Sequence, residues 1–258
     1  MRVGSPLPRR WLALGEVGST NSVAMDAARA GDPGPLWITA ERQSAGRGRR
    51  GRPWSSDTGN LYASLLLIDP AAVASLGQLP LVIAVGMRRA LCSLPGIDAD
   101  RVRIKWPNDL LLDGAKCAGI LVESERSPDG RQAVVVGCGL NVELCPDDAP
   151  YAVTTLRRAG SPASVRETFL ALADGVEWAL DLWRRGRHFS DIRTEWMAGA
   201  AGLGQTCRVN LSDRTLEGRF ADLDESGRLV LETQDARRLE ISAGDVFLLP
   251  RPDASAAQ

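Results

Sequence analysis

Apolar residues recur at three- and four-residue spacing in two long segments of this 258-residue chain. They are 76–94 (LGQLPLVIAVGMRRALCSL) and 164–185 (SVRETFLALADGVEWALDLWRR), and each predicts an amphipathic helix. Pro80 falls near the start of the first, where proline is tolerated, and Pro95 marks its end. A shorter helix is predicted over NSVAMDAARAG, capped by Ser19 or Thr20 and ended by Gly31. FSDIRTEWMA (189–198) predicts another. Strand-length apolar runs stand between them: LWITAE (36–41), NLYASLLLI (60–68) and RQAVVVGCGLNV (131–142). The stretch 102–124 reads as strand, Pro-Asn turn, strand, turn, strand. Residues 10–15 are only a short apolar stretch. After the small-residue linker AGAAGLGQ (198–205), the pattern changes to short alternating strands with turn signals DESG and SAGD. The expected layout is a mixed α/β unit over 1–203, a small β-barrel over 204–250 and a disordered tail over 251–258.

Charge adds one local anomaly to this layout. Lys and Arg total 31 and Asp and Glu total 32, so the chain is balanced. A dedicated nucleic-acid-binding domain is usually basic throughout. Yet SAGRGRRGRPW (44–54) packs Arg47, Arg49, Arg50 and Arg52 into six residues. A local cluster on a neutral background favours a focused anion site over a broad binding surface. Five cysteines without a CxxC make neither a disulfide framework nor a zinc motif. His188, the single histidine, falls at a helix end, where a capping or solvated role is expected. The N-terminal residues lack the apolar core of a signal peptide, and YASLLLI is too short to cross a bilayer. The chain is therefore expected to be cytoplasmic and to have no membrane partner.

Four loop segments carry candidate chemistry. Arginine presents a rigid fork of donors suited to carboxylate and phosphate, and the intervening Gly46, Gly48 and Gly51 let backbone N–H groups approach an anion. Trp54 can close such a site by stacking on a flat ring. The run matches neither phosphate-binding glycine motif, and a solvated basic loop or an RNA-binding patch remains open from these residues alone. In KWPND, Lys105 adds positive charge, Asn108 can bond phosphate or sugar oxygens and Asp109 can help hold a cation; an ordinary turn around a packed Trp106 is the alternative. Lys116, in GAKCAGILVE, can reach inward to an anion or simply be solvated. GCGLNV places Asn141 just past a glycine-rich strand end, where a ligand could approach, although a bulge also explains the glycines.

In this order the segments resemble one family, the biotin–protein ligases. The matching motifs are GSTN (18–21), ERQSAGRGRRGRPW (41–54), GNLYASLLL (59–67), KWPNDLLLDGAKCAGILVE (105–123) and GCGLNV (137–142), followed by the C-terminal strands. The likeness runs from about residue 10 to 250. Lipoate ligases share the fold but lack the GRGRxG-type loop, and remain the same-class alternative. The resemblance implies an α+β fold: a class II synthetase-like mixed sheet with a small C-terminal SH3-like barrel. It implies that biotin and ATP give biotinyl-5′-AMP, and that biotin then passes to a lysine of a biotin carboxyl carrier protein. Mg²⁺ would arrive with the ATP, beside Asp109, with no metal site built by the protein alone. The resemblance assigns Ser19, Thr20, Asn21, Gln43, Gly46, Arg47, Gly48, Arg49, Lys116, Gly119 and Leu121 to biotin. It assigns Arg49, Arg50, Arg52, Trp54, Lys105, Asn108, Asp109, Lys116 and Asn141 to ATP, with Lys116, Arg47 and Arg49 as the catalytic residues. Cys117 and Cys138 are read as packing. Some members carry an N-terminal DNA-binding domain; fewer than about twenty residues precede GSTN, so no DNA partner is expected. The family includes monomers and homodimers. The arginine loop, its charges repelling, is expected to order only around a ligand.

Overall fold

Two sheets organise the residues that the computed structural model describes, 9–127 and 129–249. The tail expected at 251–258 lies outside these residues. The larger sheet contains β1 (Trp11–Val17), β2 (Leu36–Gln43), β3 (Leu61–Ile68), β4 (Val102–Lys105), β5 (Asp109–Leu112), β6 (Ala115–Arg126) and β7 (Gln132–Leu140). Their order is β1-β2-β3-β7-β6-β5-β4, parallel between β1 and β2 and antiparallel elsewhere. The sheet is therefore mixed but mostly antiparallel, in keeping with an α+β fold. The strand β1 escaped the sequence reading because it lies on an edge, with Trp11 and Leu12 exposed and no clean alternation to mark a buried face.

Strand alternation sends side chains to two helical layers. Leu61, Ala63 and Leu65 of β3, with Val134 and Val136 of β7, join the main core under α2 (Leu79–Ser93), α3 (Val165–Trp183) and α4 (Phe189–Ala198). Leu66, Ala133 and Val135 point the other way, onto α1 (Thr20–Arg29). The α2 helix begins at Leu79, later than the 76 expected, because Val73–Gln78 form a tighter 3₁₀ segment; Pro80 then occupies the first turn, where its missing N–H is not needed. The α3 helix begins with a reciprocal cap. Ser164 Oγ accepts from the Glu167 N–H at 3.2 Å, and the Glu167 carboxylate accepts from the Ser164 N–H at 2.8 Å. Gly86 and Gly175 let α2 and α3 cross closely, since a Cβ on Gly86 would stand 2.7 Å from the Gly175 carbonyl oxygen. His188 precedes α4 as its N-cap residue but makes no side-chain capping bond, and its ring lies 3.4 Å from Asp191.

The second sheet follows at β8 (Thr206–Asn210), β9 (Thr215–Leu223), β10 (Leu229–Glu232), β11 (Arg238–Ile241) and β12 (Asp245–Leu248). It is antiparallel, in the order β11-β10-β9-β8-β12. Two contacts seat it on the first unit. Trp106 donates its indole N–H to the Gly227 carbonyl at 3.2 Å, and Arg193 on α4 donates to the Leu223 carbonyl at 2.7 Å. Trp106 is thus a packed interface residue, and seating it brings the start of β12 beside the Lys105–Asp109 turn.

Cys117 and Cys138 are fully inside the main core, and burial pushes both thiols up to about 12. Raised thiol pKa and closed access both suppress the thiolate that alkylating reagents attack. At pH 8 the folded protein is expected to lose the half-buried Cys92 and Cys145 to maleimide well before Cys117, Cys138 and Cys207, as read by peptide mass spectrometry. Equal labelling of all five without denaturant would contradict this packing.

Candidate active site

On the α1 side of the large sheet, α1 packs on β2, β3 and β7. Past its N-terminus the face of β6 and β7 is built from glycine. Gly119 and Gly139 are direct cross-strand partners, as are Leu121 and Gly137. This bare floor underlies a cavity of about 330 Å³. The indole of Trp54 lies flat on it: a Cβ on Gly139 would stand 2.6 Å from Trp54 Cε2, and one on Gly119 3.1 Å from Cζ3. Glycine is needed at both places because a ring must lie against the backbone.

At one end of the floor stands the N-terminus of α1. Ser19 holds the cap position with extended backbone, but its side chain makes no capping bond, and Thr20 does not cap either. The cap comes from β2: Gln43 Oε1 accepts the Thr20 N–H at 2.8 Å. The capping oxygen lies 23 residues away in the chain, beyond the reach of any local capping pattern. Ser19, Thr20 and Asn21 are all buried against the cavity. Asn21 reaches the sheet only because residue 137 is glycine, where a Cβ would stand 2.4 Å from its Oδ1.

Cations gather at the other end. Strand alternation on β6 points Lys116 into the cavity and Cys117 into the core, beside a register shift between Leu110 and Leu111. Lys116 Nζ lies 2.8 Å from Asp109 Oδ1 and 5.4 Å from the ring centres of both Trp54 and Tyr151. Burial pushes the Lys105 ammonium and the Arg49 guanidinium below their ordinary pKa values, with nearby Asp109 and Asp245 opposing that effect.

The arginine loop closes over this end as a small defined structure. Arg47 and Pro53 form an isolated antiparallel bridge, and Arg49–Gly51 form a 3₁₀ turn with Arg50 in the left-handed region (φ 57°). Each arginine has a partner. Arg47 lies 3.4 Å from Glu123, Arg50 lies 3.3 Å from Asp245, and Arg52 also bonds Asp245. Arg49 donates to Asn108 Oδ1 at 2.9 Å and to the Gly244 carbonyl at 3.1 Å. Two carboxylates, one from the second sheet, offset part of the charge of the four arginines.

The cavity gathers Ser19, Thr20, Asn21, Gln43, Arg47, Gly48, Arg49, Arg52, Trp54, Lys105, Asn108, Asp109, Lys116, Gly119 and Leu121 on its walls. Three residues selected from the sequence do not line it. Gly46 supports the loop from behind, where a Cβ would stand 2.4 Å from Ser56 Oγ. Arg50 is on the outer side, toward Asp245. Asn141 is buried beside the 154–156 segment: Nδ2 donates to the Thr154 carbonyl at 3.2 Å, and the Asn141 backbone carbonyl accepts from the Leu156 N–H at 2.9 Å. Asn108 lines the wall with both ends of its amide engaged, Nδ2 donating to the Ile120 carbonyl at 2.7 Å. Tyr62, Gly137, Tyr151, Asp245 and Phe247 also line the cavity. Sequence reasoning did not select them, and only Gly137 carried a visible signal, in the GCG step.

A flat floor, a polar wall at a helix N-terminus and converging cations define a site for a ring-bearing ligand with negatively charged ends. Comparison with known proteins narrows the class. Residues 17–141 match the biotin/lipoate A/B protein ligase family, and 202–249 match the biotin protein ligase C-terminal domain. The chain is 37% identical over 241 residues to the biotin–[acetyl-CoA-carboxylase] ligase of Paracoccus denitrificans, covering 91% of this chain and 98% of that one. It is 32% identical to the bifunctional ligase/repressor BirA of Bacillus subtilis, covering 89% of this chain and 71% of that one. The Aquifex aeolicus biotin protein ligase in complex with biotin and ATP superimposes with a TM-score of 0.78 at 28% identity, over 94% of this chain and 99% of that one. The chain belongs to the biotin/lipoate protein ligase family. Among the described residues no helix is long and apolar enough to cross a membrane.

Proposed function

We infer that this chain is a biotin–[acetyl-CoA-carboxylase] ligase. It activates biotin with ATP and passes it to a lysine of a biotin carboxyl carrier protein. The observation that carries the reading is the pairing of a glycine floor with Lys116 at its cationic end, in a chain so similar to named ligases. A biotin carboxylate oxygen attacks the α-phosphorus of ATP, the bond to the pyrophosphate oxygen breaks, and biotinyl-5′-AMP forms. The acceptor lysine amine then attacks the acyl carbon and AMP leaves.

Two anions must meet in the first step, so the protein's task is to neutralise and align them. Lys116 exchanges Asp109 for the biotin carboxylate and α-phosphate, and stabilises the charge that develops between them. Arg47 and Arg49 hold the same groups from the loop, while Arg52, Lys105 and Trp54 face the nucleotide. Asn108 acts through Arg49, which its Oδ1 holds. Gly119 and Leu121 form the floor under biotin once the Trp54 ring lifts from it, and Ser19, Thr20, Asn21 and Gln43 meet its ring. Residues 1–203 form the catalytic unit and 204–250 the small C-terminal unit, whose Asp245 fastens the arginine loop. The protein works in the cytoplasm.

Among the described residues no three His, Cys, Asp or Glu side chains converge on a metal site. The Asp109 carboxylate is already held by Lys116. Mg²⁺ would arrive with the phosphates of the ATP, beside the Asp109 carboxylate that Lys116 releases.

The test is transfer. With biotin, ATP and a purified carrier domain, the acceptor lysine is expected to gain one biotin, and a carrier with arginine at that lysine none. Modification by lipoate in preference to biotin would move the chain to the other branch of its family.

A further inference from the structure

Behind the polar wall of the cavity runs a chain of hydrogen bonds whose direction can be worked out. It begins at Glu123 on β6, outside the cavity lining. Asn21 Nδ2 lies 2.7 Å from Glu123 Oε2. A carboxylate only accepts, so the Asn21 amide nitrogen must face it and Oδ1 must face away. Oδ1 then lies 2.6 Å from Ser64 Oγ on β3. Ser64 is completely buried and has one hydroxyl proton, which the Asn21 oxygen takes. Ser64 Oγ is left as an acceptor, 2.8 Å from Thr20 Oγ1. The Thr20 hydroxyl proton therefore points into the protein. Its other use, toward Gln43 Oε1, is longer at 3.1 Å, and that oxygen already accepts the Thr20 N–H at 2.8 Å. Thr20 Oγ1 consequently offers the cavity lone pairs and no proton.

We propose that Ser64 and Glu123 are specificity-determining positioning residues: they fix Thr20 as an acceptor, so that the site selects a ligand ring carrying N–H donors. The proposal rests on the biotin reading above and deepens it. Biotin's cyclic urea carries two N–H groups; the dithiolane of lipoate and the chain of octanoate carry none. A ligand without donors leaves a buried acceptor unpaired, which costs binding. Glu123 also pairs with Arg47, so the same carboxylate ties this end of the site to the arginine loop.

The experiment compares Ser64→Ala, Glu123→Ala and Glu123→Gln with the unaltered protein in biotin-dependent pyrophosphate exchange at saturating ATP. Octanoate and lipoate serve as competitors, and thermal melting reports folding. Ser64→Ala and Glu123→Ala are each expected to raise KM for biotin about tenfold, the size of one lost hydrogen bond at a buried group, with kcat within about twofold. Discrimination against octanoate and lipoate narrows by the same factor. Glu123→Gln keeps an acceptor for Asn21 and is expected to restore the biotin KM. Three results would overturn the proposal: an unchanged KM and discrimination in both alanine variants, kcat falling in step with melting temperature at constant KM, or Glu123→Gln behaving like Glu123→Ala. If the unaltered protein shows no biotin-dependent exchange, the biotin reading itself fails; the two failures are thus told apart.

Discussion

Replacing Lys116 with alanine is expected to lower kcat for biotinyl-5′-AMP formation by about two to three orders of magnitude, the usual loss when a preorganised group at a developing charge is removed. The biotin KM should change far less, because Lys116 faces the reacting end and the ring is held at the α1 end. The single variant also strips the Asp109 carboxylate of its 2.8 Å partner at a site only 18% exposed. A buried charge left alone costs stability in its own right. The double variant Lys116→Ala/Asp109→Asn removes that complication. Stopped-flow or quenched pyrophosphate release from both proteins should report the same low kcat. Release at the unaltered rate from either would remove Lys116 from its assigned role.

The arginines of one loop should behave unequally. Arg49→Ala is expected to reduce kcat/KM for ATP about a hundredfold, and Arg50→Ala by no more than about threefold. Arg49 is half-buried, lines the cavity and is fixed by Asn108 and the Gly244 carbonyl. Arg50 sits in the left-handed turn on the outer side, with a partly exposed contact to Asp245. Steady-state kinetics at varied ATP would separate them. Equal losses would mean that the loop acts only through summed charge.

Local patterns announced the parts of the site that depend on local chemistry. The glycines and arginines of 46–54 and the Lys-Trp-Pro-Asn-Asp turn were visible because each imposes a backbone shape or a charge density on adjacent residues. The same holds for α2, α3 and the central strands, whose periodicities are strong. What escaped was made by distance along the chain. Asp245, which answers Arg50 and Arg52, is 193 residues from Arg52 and sits in another sheet, so no spacing rule links them. Gln43 caps α1 from β2, and Trp106 anchors the second sheet; neither can be read from its neighbours. Asn141 looked available because it follows Gly139, but its side chain donates to the Thr154 carbonyl and its backbone carbonyl accepts the Leu156 N–H. Tyr151 and Phe247 stand alone in polar or ordinary strand surroundings, and only the fold gives each a lysine to face.

The central claim is that this cavity joins a biotin carboxylate to the α-phosphate of ATP. The most direct measurement is mass spectrometry of the protein after incubation with biotin and ATP in the absence of a carrier. The account predicts bound biotinyl-5′-AMP and one pyrophosphate released for each adenylate formed. Formation of ADP and phosphate, or nucleotide turnover that does not depend on biotin, would contradict it.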